Sequence, residues 1–400
     1  MKKIIVLSVI LFCVSCIKEK KGSRFLISEK QIVSSNGIDS ECAFFSNGLE
    51  KDRYLSWTEE QNGRTVLVYR KFDGVNFLEK VTVSSTYGLQ SHHESMAKIG
   101  VTGEGVLFCL FRVSSPTKYN KYAGNLFYTT SKDNGKNWSE KAKLVDEKKS
   151  TSQSFFDIER MNDGELAIVW LDNRFSTKEK RGSTLFFNRT HSGKILQTEK
   201  SIAYNTCQCC RTDLLIDKNK IKIAFRNIID NSIRDMFYVS SDNNGEYFEE
   251  PRRISADDWE IDGCPHTGPS LATGKTTAAV WFTAGKGNKG LFFAEKEAGE
   301  QEFGKRLEIS ENGNHPQLIF LNEVYYIVYD EYYQKDNTTY QQIKLHKKNI
   351  FASDEIISVS NAFAMNTFPV VTKISENELL IAWTNLDGEK RQIEVVNVKI

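Results

Sequence analysis

The sequence predicts an all-β chain folded as a β-propeller of seven blades, each of four antiparallel strands, and three observations carry that expectation. An apolar strand that ends in an aromatic and then turns polar recurs seven times, at a period of roughly 50 residues that falls in the range of propeller blades. A turn rich in Gly, Asn or Asp precedes each copy, and further short strands flank it on both sides. Helical periodicity is missing throughout.

The recurring strand lies at 54–57, 107–111, 167–170, 221–225, 278–281, 326–329 and 380–383. Its aromatics Trp57, Trp170, Trp281, Tyr329 and Trp383 keep the blade period, so they read as core between blades before they read as a sugar platform. Turns such as Ser46-Asn47-Gly48 and Asn162-Asp163-Gly164 come before it, and third strands such as 126–128, 185–187, 236–238 and 291–293 come after. The last repeat has three C-terminal strands ending at Ile400, and the stretch 25–33 can supply the fourth. Residues 25–400 therefore read as a single propeller closed by its N-terminal strand, which leaves no free sheet edge.

The start of the chain predicts where it resides. Met1-Lys2-Lys3 is a basic segment, and 4–14 is an apolar run of eleven residues. A spanning helix needs about 20. A small residue, Ser15, stands before Cys16, so 1–15 reads as a lipoprotein signal peptide, Cys16 as the acylated residue and 16–24 as a solvated tether. The expected location is the cell envelope, periplasmic or outer-membrane, with the lipid bilayer as partner through Cys16. Charge is balanced at 53 basic and 52 acidic residues, with no basic stripe to suggest nucleic acid. A monomer is expected.

Five third strands run into a distinctive turn, two of them clearly and three as weaker echoes around Gly74, Gly193 and Gly299. Ser131-Lys132-Asp133-Asn134-Gly135-Lys136-Asn137-Trp138 matches Ser-x-Asp-x-Gly-x-x-Trp in full, and Ser241, Asn243, Gly245 and Phe248 repeat it with Asn for Asp and Phe for Trp. The Asp or Asn side chain closes the turn on backbone donors, Gly takes φ > 0 and the aromatic packs back on the sheet. These residues are structural staples, with no catalytic role.

The turns resemble the Asp-box (BNR) repeats of the sialidase superfamily, and the resemblance covers essentially the whole chain after the tether. True sialidases have six blades, which makes six the alternative count. In the family the boxes lie on one face, and the links into each innermost strand lie on the other, around the central channel; that second face is where a site is expected. The links hold His92-His93-Glu94, then Cys207-Gln208-Cys209-Cys210-Arg211, then 259–269 with Cys264 and His266, then Asn314-His315-Pro316. Cys264 and His266 should approach the Cys207–Cys210 run. The cysteines admit a disulfide, a Cu or Zn site with His266 that could also draw His93 or His315, or a reactive thiol. Cys42 and Cys109 lie inside strands and read as buried free thiols, while His191 and His346 read as surface residues. The pattern Cys-x-Cys-Cys followed by Gly-Cys-Pro is also similar to a branch of secreted exo-α-sialidase-like proteins.

What the resemblance implies for catalysis is an arginine clamp on a carboxylate, a Tyr nucleophile aided by Glu, and an Asp acid. The catalytic candidates are Asp172, Arg174, Arg211, Arg226, Arg234 and Asp235. Arg112, Asp262, Asp330, Glu331, Tyr329, Tyr332 and Tyr333 stand nearby, but the early Arg-Ile-Pro element of sialidases is absent. Surface ion pairs are the plain alternative for Asp172–Arg174 and Arg234–Asp235. Three function classes remain open: a sialidase-like propeller acting on or binding a sialylated or other acidic glycan, a metal or redox propeller using the Cys/His face, and a scaffold without chemistry.

Overall fold

The computed structural model describes residues 25–146, 150–177, 181–196, 198–348 and 353–400. The expected signal peptide, the expected acylation at Cys16 and the expected tether all lie outside the described residues. Within them the chain is all-β, with no α-helix and two short 3-10 turns, Ser84–Thr86 and Gly285–Gly287. No helix there is long and apolar enough to cross a membrane.

Consecutive strands pair as antiparallel meanders. Unit one comprises Ser40–Asn47, Arg53–Gln61, Arg64–Phe72 and Phe77–Thr82. Unit two comprises Lys98–Val101, Leu107–Ser114, Gly124–Ser131 and Ala142–Lys143. Unit three runs through Gln153–Arg160, Leu166–Asp172, Ser183–His191 and Lys200–Thr206, and unit four through Asp213–Asp217, Lys220–Ile229, Ile233–Ser241 and Arg252–Arg253. Unit five holds Ser270–Thr273, Thr277–Thr283, Gly290–Lys296 and Leu307–Ser310. Unit six holds Gly313–Leu321, Val324–Lys335, Thr338–Lys348 and Glu355–Ser358. Unit seven has Met365–Ser375, Glu378–Asp387 and Lys390–Lys399, and the N-terminal strands Leu26–Ile27 and Gln31–Ile32 pair with its last strand. A bridge from Thr206 to Asn227 joins units three and four, and a parallel bridge from Gln341 to Met365 joins six and seven.

The second strand of each unit is the apolar segment read from the sequence, and its burial on both faces explains its composition. Leu166–Asp172 is buried at every position, and Trp57, Trp170, Trp281 and Trp383 have no exposed surface. The core forms between units. One cluster joins Leu67 and Tyr69 of unit one to Ile99 and Phe111 of unit two, and the next joins Phe108 to Ile158 and Trp170. The series continues through each following border, and a further cluster sets Val370 and Ala382 of unit seven against Leu55 and Trp57 of unit one.

Side chains on the first strands tie unit three to four, four to five and five to six. Asp157 Oδ2 accepts from Leu214 N at 2.9 Å, Asp213 Oδ2 from Leu271 N at 2.7 Å, and Ser270 Oγ from Leu318 N at 3.0 Å. His346 departs from the surface reading: it is buried, with Nε2 2.9 Å from Asp354.

Candidate functional site

Strand register separates two faces. In unit two the third strand ends with Ser131 opposite Leu107, and Leu107 also faces Val101, the end of the first strand. The turn at 131–138 thus lies at the far end from where the first strands begin. Ser131 Oγ donates to Asp133 at 2.8 Å and accepts from Gly135 N at 2.9 Å, while Asp133 accepts from Asn137 N at 2.9 Å. Ser241 and Asn243 repeat the geometry at 2.8 Å and 3.0 Å. These donors hold the Asp133 carboxyl at about 2, led by the Asn137 backbone.

The opposite face is built from bulges. First strands of units one, three, six and seven break register between Glu41 and Phe44, Ser154 and Asp157, Asn314 and Gln317, and Thr367 and Val370. Each bulge holds a non-glycine residue at positive φ: Cys42 at 61°, Phe155 at 44°, His315 at 46° and Phe368 at 51°. Such a bulge re-aims a side chain at the cost of backbone strain of order 1–3 kcal/mol. The re-aimed groups meet. His93 stacks on Phe368 at 4.0 Å, with His315 on the same ring at 3.9 Å. His93 Nε2 lies 3.0 Å from Glu41 and its Nδ1 3.9 Å from Cys42 Sγ. Burial opposes charge on His93, but Cys42 and Glu41 outweigh it and raise its pKa to about 10. His315 Nδ1 is 2.7 Å from Asp330, which offsets burial and raises this imidazole as well.

Beside this cluster opens a cavity of about 700 Å³ lined by His92, Arg112, Tyr122, Asn173, Cys209, Cys264 and His266, among others. His92 and His266 are 5.4 Å apart between ring centroids, and burial first, then His266 and His93, lower the His92 pKa. Behind the wall are the cysteines. Cys207 Sγ lies 3.5 Å from Cys209 and 3.7 Å from Cys210, and all three are buried. Cys264 is exposed and reaches Cys209, whose contact lowers its pKa to about 7. Arg234 Nη1 donates to Cys207 Sγ at 3.2 Å. Contacts from Cys209 and Cys210, with Arg234, hold the Cys207 thiol well below its usual range. The expected approach of Cys264 to the 207–210 run is present. Of the three readings left open for these cysteines, the disulfide is not formed among the described residues: all six described cysteines are free, and 3.5 Å exceeds the roughly 2.05 Å of an S–S bond.

The catalytic candidates sit differently from a substrate clamp. Arg211 donates to the carbonyls of Gly268, Pro269 and Pro316, and Arg226 to those of Arg234, Thr267 and Phe282; both are buried. Arg234 serves Cys207 and the Ile261 carbonyl, so these three guanidiniums fasten the 259–269 link instead of facing solvent. Arg174 pairs with Asp172 at 2.7 Å and with Glu199. Asp235 is buried, accepting from Arg253 and from the Asp258 and Trp259 amides. Tyr329 is core, and Tyr333 donates to the Ala362 carbonyl. Cys42 and Cys109 are both buried free thiols, as read, and Cys42 also belongs to the His93 cluster. Sequence reasoning missed Glu41, Phe155 and Phe368 here; the only trace they leave is a polar or aromatic residue where a strand should begin.

No family model and no curated protein matches the chain. Solved structures do. A protein of unknown function from Dyadobacter fermentans aligns at 14% identity over 94% of this chain and 99% of its own, with a TM-score of 0.56. The polysaccharide lyase Uly1 aligns at 12% over 88% and 89%, with a TM-score of 0.57. The Hadza microbial sialidase Hz136 aligns at 9% over 90% of this chain and 66% of that one, with a TM-score of 0.50. The likeness is one of fold. The chain has a propeller-like all-β architecture of the kind found in these carbohydrate-processing proteins.

Proposed function

We propose that residues 25–400 form one closed propeller with the seven units as its blades, held at the cell envelope by lipid on Cys16, and that it binds an acidic glycan in the 700 Å³ cavity. One observation carries the ligand class. Arg112 lines the cavity, and its acceptors are Gln153 O, Gln90 Oε1 and Tyr122 O, all neutral. Arg174 and Arg211, by contrast, have carboxylates beside them. No Asp or Glu lines the cavity among the described residues, so its positive charge is left for a ligand. A sugar carboxylate or sulfate fits that demand.

The same lining bears on chemistry. Hydrolysis by a carboxylate pair needs two acidic groups across the scissile bond. The cavity offers instead a lowered-pKa imidazole, His92, suited to act as a neutral base. On a 4-linked uronate it would take the C5 proton, beside the carboxylate, as the C4–O bond breaks; the leaving oxygen takes a proton from water and departs as a sugar hydroxyl, and a 4,5-unsaturated sugar remains. Assays should therefore pair uronate polysaccharides with a fluorogenic sialoside. Binding of a uronate oligomer should weaken at least about tenfold in Arg112→Gln, roughly 1.4 kcal/mol, and any unsaturated product should vanish in His92→Ala. Release from the sialoside would favour hydrolysis, and no binding of either ligand would overturn the reading. Recovery of Cys16→Ser in the membrane fraction, normally processed, would sink the anchor.

A further inference from the structure

We propose that Cys207, Cys209 and Cys210 form a thiolate site for a single monovalent soft metal ion, Cu(I), loaded from the cavity past Cys264. The sulfur atoms of the three lie within 4.8 Å of one another, with two separations of 3.5 and 3.7 Å. Sulfurs at about 2.3 Å from a common ion sit about 3.8 Å apart in a tetrahedral arrangement and about 4.0 Å apart in a trigonal one, so the two observed separations reach an ion by shifts of a few tenths of an ångström. A disulfide would require one pair to close by more than an ångström.

The donor set selects the metal. The triangle has sulfur only, and thiolates favour Cu(I) over harder ions. Structural Zn²⁺ wants four donors, but the fourth sulfur here, Cys264, contacts Cys209 from an exposed link. A monovalent ion is satisfied by the three. Three thiolates and Cu(I) leave two negative charges in a buried place. Arg234, 3.2 Å from Cys207, and Arg226, acting on the same sulfur through space, supply two positive ones.

Access and transfer are provided on one side. Cys209 and Cys264 both line the cavity, with His92 and His266 on the same wall. An arriving ion meets the exposed Cys264 first, then Cys209, then the triangle. Arg112 is not among the sulfur ligands, so the copper titration and the Arg112→Gln binding test fail independently.

The full chain, reduced with a phosphine under anaerobic conditions, should be titrated with Cu(I) against a bicinchoninate competitor. One equivalent should resist the competitor, and X-ray absorption should show a shell of three sulfurs at about 2.2–2.3 Å. Cys207→Ser and Cys210→Ser should each lower the affinity at least about a hundredfold. Cys264→Ser should keep the stoichiometry while loading at least about tenfold more slowly; this exposed variant and the wild-type spectrum serve even if the buried variants fail to fold. No retained copper, a first shell of nitrogen or oxygen, or Zn²⁺ alone held in preference to Cu(I) would overturn the proposal.

Discussion

Single residues on the first strands place charge where the units converge. Lys98 Nζ lies 2.6 Å from Asp157, in a buried pair. Burial, then Asp157, push the nearby Glu159 carboxyl up to about 8 and Asp213 up to about 7. His93 is raised as well, to about 10. A raised folded pKa means that the folded state binds the proton more tightly. The stability it confers is present below the unfolded value and is lost as pH climbs through the folded one. For the carboxyls that window opens near the unfolded values of about 4 and closes near 8; for His93 it runs from about 6.5 to 10. Both point the same way. The lowered carboxyl of Asp39, held by Arg391, loses its contribution only in acid, whereas the lowered imidazole of His92 and the lowered thiols of Cys207 and Cys264 act against this trend. The test is therefore a difference: Glu159→Gln removes one falling contribution, so its thermal midpoint should gain on that of the wild type as pH rises from about 5.5 to 8.5. A difference that stays constant with pH in scanning calorimetry would contradict the charge arrangement.

At the scale of elements, the sequence shows what is repeated and hides what is bent. The second strands are legible because burial on both faces forces an apolar run, as at Leu166–Asp172. The turn at 131–138 is legible because its hydrogen bonds are local, from Ser131 to Gly135 and Asp133 to Asn137. Its tertiary role is not: a Cβ on Gly135 would meet Tyr69 Oη of the preceding unit at 1.9 Å, and one on Gly245 would meet Phe187 at 2.4 Å. Each turn thus clamps two units, which local pattern cannot reveal. Bulges are equally hidden, since one extra residue at Cys42 or Phe368 leaves the composition of a strand unchanged. The links could be assigned to one face, so the meeting of His92 with His266 and of Cys264 with Cys209 was readable. The duty of Arg211, Arg226 and Arg234 was not. Most of their acceptors are backbone carbonyls, which any sequence supplies, and a buried arginine reads like a catalytic one.

For the whole molecule, stability depends on whether the last unit is finished by the first residues. Leu26 and Ile27 pair with Lys399 and Val398, and Gln31 and Ile32 with Val395 and Glu394. Val33 then enters the cluster between units seven and one, 4% exposed, and Ser34 Oγ accepts from Ile393 N at 2.9 Å. Lys30 pairs with the buried carboxylate of Glu394 at 2.6 Å. Deleting residues 25–33 removes one buried valine, several ladder hydrogen bonds and the partner of a buried charge. The apolar and hydrogen-bond losses sum to roughly 3–5 kcal/mol, from about 2 for the valine and about 1 for each net hydrogen bond. The deletion also turns Lys390–Lys399 into a bare edge strand whose open amides and carbonyls invite pairing with another copy. The truncated protein should unfold at lower denaturant and run as dimers or larger species in size-exclusion chromatography. A synthetic peptide of residues 25–35 should restore both the midpoint and the monomer, because the groove it fills is otherwise intact. An unchanged midpoint in a monomeric truncation would show that the first residues do not stabilise the last unit.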